Sequence, residues 1–270
     1  MNLFTPWENV ENYANAGKKK SERSFGRLFV LAILAGMTIA LGGATAATAT
    51  HALANVSLQR LISGLLFPFG LGIVVLTGSE LFTGNCLITI SVLEKKTTWQ
   101  KMLYNLLVVY LGNFVGALLV AVGCAYFGQF DASAGGLAVQ AIRTAIAKCS
   151  ISFPNGLVLG ILCNVLVSAG VMVSLTGKDA AGRIMGAYIP VALFVICGFE
   201  HCVANMYYVP AGLFAASVPE YAQLAVEAGL DLSALSWGNF FLKNLLPVTI
   251  GNIIGGAGLG AALWYGHKAN

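Results

Sequence analysis

Glu80-Leu-Phe-Thr-Gly-Asn85 and Glu200-His-Cys-Val-Ala-Asn205 are two copies of one pattern, E-x-x-x-x-N, set 120 residues apart. Each interrupts a long apolar stretch: Glu80 falls inside Leu61–Leu93, and Glu200 with His201 falls inside Ile184–Val218. One straight helical crossing of a bilayer takes about 20 residues. Both stretches are too long for that and carry a polar break near the middle, so they read as discontinuous helices. Non-helical backbone at membrane depth survives only where protein packs around it or where it lines a wet cavity.

Working outward from the breaks, the repeat continues. The stretches that follow them, Met102–Phe130 and Phe240–Tyr265, each hold a G-N-x-x-G motif: Gly112-Asn113-Phe-Val-Gly116 and Gly251-Asn252-Ile-Ile-Gly255. The stretches that precede them, Leu28–Thr50 and Pro154–Thr176, are poor in charge. The expected fold is an all-α membrane protein, with six transmembrane helices forming two three-helix repeats whose second and fifth helices are broken. Three is odd, so the second repeat enters the membrane inverted relative to the first. Inverted repeats with paired broken helices set a site near the midplane, where unwound backbone and half-helix termini face a permeant. The layout is a single polytopic membrane domain over 1–270. Its parts are a cytoplasmic amphipathic tail (1–27), the first repeat (28–130), an outer loop (131–153), the second repeat (154–265) and a tail (266–270).

Composition agrees. The 270 residues are 57% hydrophobic and 10% charged, where soluble domains carry about 25% charge; mean hydropathy is +0.79. Soluble classes are excluded. The net charge of +4 is no nucleic-acid signature, because the basic residues sit mostly in short hydrophilic gaps. The six cysteines include no C-x-x-C pair and the three histidines no H-x-x-x-H, so neither a disulfide framework, a metal site nor a cofactor is expected. No G-x-x-x-x-G-K-[ST] loop supports an ATP-driven pump, no Asn-Pro-Ala pair marks an ordinary aquaporin, and no carboxylate ring favours cations. Lys18–Arg27 ahead of the first stretch, with the small-residue run Ala44–Thr50 at its end, imitates a signal peptide. Cleavage there would spoil the repeat, so the stretch is kept as a helix.

Orientation follows from Lys and Arg. With the N-terminus in the cytoplasm, the inside segments hold Lys18, Lys19, Lys20, Arg23, Arg27, Lys95, Lys96, Lys101, Lys178, Arg183 and Lys268, and the outside segments only Arg60, Arg143, Lys148 and Lys243. Both termini are expected inside, in a cell (inner or plasma) membrane. Leu3, Trp7, Val10 and Ala14 share one helical face, which fits a short amphipathic helix over 1–17 lying on the inner surface.

Ionisable residues inside a membrane are functional by default, and the three at the breaks have different expected roles. Half-helix N-termini offer positive potential and N–H donors, which suits an anion. A carboxylate in the lumen would repel that anion, so Glu80 and Glu200, with Asn85 and Asn205, are assigned to capping and hydrogen bonding behind the pore wall. His201 lies seven residues after Phe194, two helical turns on and nearly on the same face. That pairs an aromatic gate with an imidazole, which titrates near working pH and can offer a hydrogen bond or a proton to a weak-acid anion. Thr83, Gly84 and Asn85 supply small polar residues at the first break, Leu81 and Phe82 crowd it, and Leu71 forms an apolar ring before it. Two other classes stand beside an anion pore. A membrane-embedded enzyme using His201 and Glu200 as an acid–base pair lacks a nucleophile or metal ligands, and a neutral-solute facilitator requires only the pore.

Gly198-Phe-Glu-His-Cys-Val-Ala-Asn-Met206, Pro247-Val-Thr-Ile-Gly-Asn-Ile-Ile-Gly-Gly256 and Tyr110-Leu-Gly-Asn-Phe-Val-Gly-Ala117 resemble the formate/nitrite transporter family, over about Phe25 to Tyr265. The resemblance implies an aquaporin-like fold assembled as a homopentamer, each protomer with its own anion pore, and the lipid bilayer, a small anion and protons as partners. It implies His201 as the central histidine, Asn164 as its neighbour on the fourth helix, and Thr83 as the pore threonine of a flexible segment. Leu71, Leu81 and Phe82 would be constrictions towards one vestibule and Phe194 towards the other. Lys148 looks like the lysine that draws anions to the outer side. Gly84-Asn85-Cys86 and Cys202 depart from the formate-type pattern and Pro210 retains it, so formate is the expected anion, with nitrite and hydrosulfide as alternatives.

Overall fold

The computed structural model describes residues 3–267, so Lys268, counted above among the inner charges, lies outside the described residues. Among these the chain is helical, and six helices are long and apolar enough to cross a membrane. The elements run in chain order: α1 (Pro6–Ser21), α2 (Phe25–Thr50), α3 (Val56–Leu66), α4 (Phe69–Thr77), α5 (Phe82–Asn85), α6 (Ile88–Leu93) and α7 (Trp99–Tyr126). Then come α8 (Gly136–Cys149), α9 (Phe153–Thr176), α10 (Ala180–Cys197), α11 (Cys202–Ala216), α12 (Pro219–Glu227), α13 (Trp237–Asn239) and α14 (Leu246–His267). A π-helical turn, Phe240–Leu245, joins α13 to α14.

Both long stretches are broken where the sequence predicts, and by the same device. α4 ends on Gly78 and α10 on Gly198, each with positive φ (67° and 74°), the left-handed conformation that glycine adopts at little cost. Two residues later the chain passes Glu80 or Glu200, and a new helix starts two residues beyond. The span α3–α4 also bends at Phe67–Pro68, because proline cannot continue the hydrogen-bond ladder.

The helix expected over 1–17 is present as α1 at Pro6–Ser21, with Val10, Tyr13 and Ala14 buried against the other helices. Thr5 caps it in a reciprocal capping box with Glu8, and Pro6 opens it. The loop expected over 131–153 contains a further helix, α8. Comparison of the halves shows why. Lys20 and Lys148, Phe25 and Phe153, and Leu31 and Leu159 are each 128 residues apart, so α8 is the repeat counterpart of α1. A short helix thus precedes the first span of each half: α1 packs on α6 and α9, and α8 packs on α11 and α2.

Within each half the first and third spans lie against each other, α2 on α7 and α9 on α14. Glycine makes that approach possible. A Cβ at Gly116 would collide with the Ile33 carbonyl, and one at Gly255 with the Ile161 carbonyl. This is the close backbone contact through which membrane helices pack without a hydrophobic drive.

Candidate permeation site

Two cavities approach each other at the breaks. The larger, about 410 Å³, opens on the α8 side and is lined by Phe67, Phe194, His201, Asn205, Lys148 and Arg60, among others. The smaller, about 160 Å³, lies under α1 and is lined by Tyr13, Lys20, Leu71, Leu81, Gly84 and Asn85, among others.

Between them stands His201. It is the N-cap of α11: its backbone is extended, and its ring Nδ1 accepts the Ala204 backbone N–H at 3.0 Å. With Nδ1 accepting, a neutral ring carries its proton on Nε2, and Nε2 lies 2.9 Å from Thr83 Oγ1. Thr83 sits in α5, so this one contact joins the two breaks. Phe194 stacks on the imidazole, with ring centroids 5.8 Å apart and planes 18° apart. The two rings meet as expected, but not as neighbours on one helix: α10 ends at Cys197 and His201 begins the next helix. Phe67, which sequence reading missed, packs edge-on against Phe194 at 5.8 Å and completes the aromatic wall.

Behind this wall each break is held by the same hydrogen bonds. The Asn113 amide oxygen accepts the Phe82 backbone N–H, and its nitrogen donates to the Ala32 and Glu80 carbonyls. Asn252 does the same with Cys202 N–H and the Gly160 and Glu200 carbonyls. These amides satisfy backbone groups that the breaks leave without helical partners. The Asn of G-N-x-x-G is thus the clamp of the break in front of it. That role was readable only as a repeat, because nothing in the motif names its partner.

The carboxylates lie behind the wall and are paired with cations. Glu80 accepts from Lys20 and Asn85 and lies 2.9 Å from Arg23 Nη1; Asn85 also donates to Asn105. Glu200 accepts from Lys148 at 2.7 Å and from Asn205, and Asn205 also donates to Asn244. The π-helical turn carries Asn244. Sequence reading missed Lys20, Arg23, Asn105 and Asn244; the 128-residue offset from Lys148 would have found Lys20.

Several expected residues are placed differently. Asn164 lines neither cavity, and neither does the buried Thr83: the Asn164 side-chain nitrogen donates to the Thr83 and Asn252 carbonyls, so it positions Thr83 between the two cavities. Phe82 also lines neither. Its ring packs edge-on against Tyr110 at 4.9 Å and borders a groove between α7 and α14. Leu71 and Leu81 do face the α1-side cavity. Lys148 faces the α8-side cavity, but its ammonium is committed to Glu200. Five of the six cysteines are buried, all six are free thiols, and no metal-binding group of His, Cys, Asp or Glu occurs among the described residues.

Six membrane-length helices, with two cavities flanking paired helix breaks, define a multi-pass membrane protein whose break motifs repeat along the chain. The chain belongs to the formate/nitrite transporter family, whose model matches residues 7–266. It is 37% identical to the formate channel FocA of Haemophilus influenzae, over 94% of this chain and 91% of that one. It is 36% identical to FocA of Escherichia coli K12, over 98% and 94%. Among solved structures it resembles a pentameric formate channel with formate bound, with TM-score 0.78 and 33% identity over 89% of this chain and 96% of that one.

Proposed function

We propose that the chain forms a homopentameric channel of the cell membrane, in which each protomer passes formate between the two cavities across the His201–Thr83 contact. The observation that carries this reading is the ring of His201, fixed by the Ala204 N–H on one side and facing Thr83 on the other. It presents a neutral Nε2–H donor and a threonine hydroxyl between the two cavities, beside the apolar residues Phe194, Phe67, Leu71 and Leu81. Neutral donors hold an anion weakly, which suits turnover. Burying an unpaired carboxylate costs far more than burying its neutral acid, so formate crosses the apolar part most readily with a proton. Nδ1 is committed to the α11 cap, so for His201 to give that proton up it would first have to gain one on Nδ1 and lose the cap. The geometry therefore favours His201 as hydrogen-bond donor over His201 as proton relay. The repeats lie inverted, both termini face the cytoplasm, and the α8-side cavity opens outward.

Uptake by proteoliposomes of formate, nitrite, hydrosulfide and glycerol, measured in parallel at several pH values, tests the reading. Formate flux that rises towards acid pH and exceeds glycerol flux is the expected result. Glycerol flux equal to formate flux would make the protein a neutral-solute facilitator, and faster nitrite or hydrosulfide flux would reassign the permeant.

A further inference from the structure

The residues that build the breaks recur in both halves at constant offsets. Glu80 and Glu200, Asn85 and Asn205, and Gly78 and Gly198 are 120 residues apart; Asn113 and Asn252 are 139 apart. Arg60 breaks the rule, since the residue 120 positions on is Ala180. The scaffold therefore has no general need for a cation at this place.

Arg60 nonetheless lines the α8-side cavity, together with His201 and Phe194. It is exposed, and among the described residues no carboxylate lies within ion-pair distance of it. Among the described residues its hydrogen bonds run from Nη1 alone, to the Ile196 and Cys197 carbonyls at 3.3 and 3.4 Å, which leaves the rest of the guanidinium free to face the cavity. The other cation of that cavity, Lys148, is neutralised by Glu200. Among the residues that line this cavity, the charge without a carboxylate partner is therefore that of Arg60. The left-handed turn at Gly198 makes room for it, because a Cβ there would stand 3.2 Å from Nη1.

We propose that Arg60 is the anion-capture residue of the α8-side vestibule, raising the local concentration of a small monovalent carboxylate before it reaches His201. The inference rests on the anion-transport reading above. One unit charge near a permeant in a wet vestibule is worth about a three-fold change in local concentration, and salt abolishes it as the Debye length falls from about 30 Å at 0.01 M to about 3 Å at 1 M.

Formate uptake into proteoliposomes, with salt balanced across the membrane, is measured for the parent, Arg60→Gln and Arg60→Lys at these two salt concentrations. Gln keeps an N–H donor for the helix-end carbonyls and loses the charge. The expected result is about three-fold slower uptake for Arg60→Gln at low salt only, with Arg60→Lys like the parent at both. Uptake of Arg60→Gln equal to the parent at low salt, reduced by the same fraction at both salts, or lost through failure to assemble would make Arg60 a helix-end cap and overturn the inference alone. A parent that does not transport formate would overturn the transport reading, and the inference with it.

Discussion

At the second break His201 caps α11 with its own ring, whereas at the first break Leu81 holds the same position ahead of α5 and supplies no side-chain cap. The backbones there are alike, φ −111° and ψ 113° against φ −106° and ψ 127°. The helices that follow are not. α11 runs for 15 residues, while α5 lasts four before the chain leaves the helix at Cys86–Leu87 and resumes as α6. One half thus supplies a rigid, capped helix carrying the imidazole, and the other a short, re-broken segment that brings Thr83 to meet it. The His201–Thr83 contact sits where the two breaks are least alike.

The capping helices differ in the same sense. On the α1 side, Glu80 has two cations, Lys20 and Arg23. On the α8 side, Glu200 has one among the described residues, Lys148. Tyr13 of α1 lies over the first break and donates to the Gly84 carbonyl at 2.9 Å. The residue 128 positions on is Ala141, which lines the larger cavity. The phenol thus occupies the side with the cavity of about 160 Å³, and the methyl the side with the cavity of about 410 Å³.

The largest expected effect tests the counter-ions. Lys148→Met leaves Glu200 buried without a cation, a loss on the order of 3–5 kcal/mol, and should abolish the assembled protein in detergent. Lys20→Met leaves Arg23 on Glu80 and should cost only about 1–2 kcal/mol, with assembly retained and a modest fall in thermal stability. Lys20→Met combined with Arg23→Met should then behave like Lys148→Met. If both single variants fall equally, the two breaks do not differ in counter-ion supply.

Next comes the cap. His201→Leu copies the first break into the second. It should lower formate flux about ten-fold, the equivalent of one lost hydrogen-bond donor worth about 1.4 kcal/mol. His201→Asn can both cap and donate, so it should retain more flux than the Leu variant and keep the parent's acceleration at acid pH. A flat pH profile in the Asn variant would restore the relay reading of the imidazole.

Smaller effects are expected from the walls. Tyr13→Ala makes the α1 side resemble the α8 side and should raise flux a few-fold, read by the same uptake assay, because it enlarges the smaller cavity while leaving both ion pairs intact. Phe194→Ala removes one of two rings and should raise the leak of small anions less, since Phe67 still closes that side. Unchanged leak in a folded Phe194→Ala protein would remove Phe194 from the pathway.

The sequence by itself determined the spans, both breaks, their repetition and the family, because these depend on local composition and on motifs that recur along the chain. Apolar runs of membrane length, a charge inside them and a glycine ahead of that charge are all visible without contacts. It also placed Glu80, Glu200 and their asparagines together, since five residues separate each pair. What it could not supply was which distant groups satisfy the polar atoms left at the breaks. Only the tertiary structure shows Asn113 and Asn252 on the broken backbone, Lys148 on Glu200 rather than free in the vestibule, Asn164 holding Thr83 in place, and Phe82 turned to Tyr110. The reason is physical: an unpaired polar group at membrane depth is so costly that its partner is taken from whichever helix packing brings within reach, and that helix lies tens of residues away in the chain.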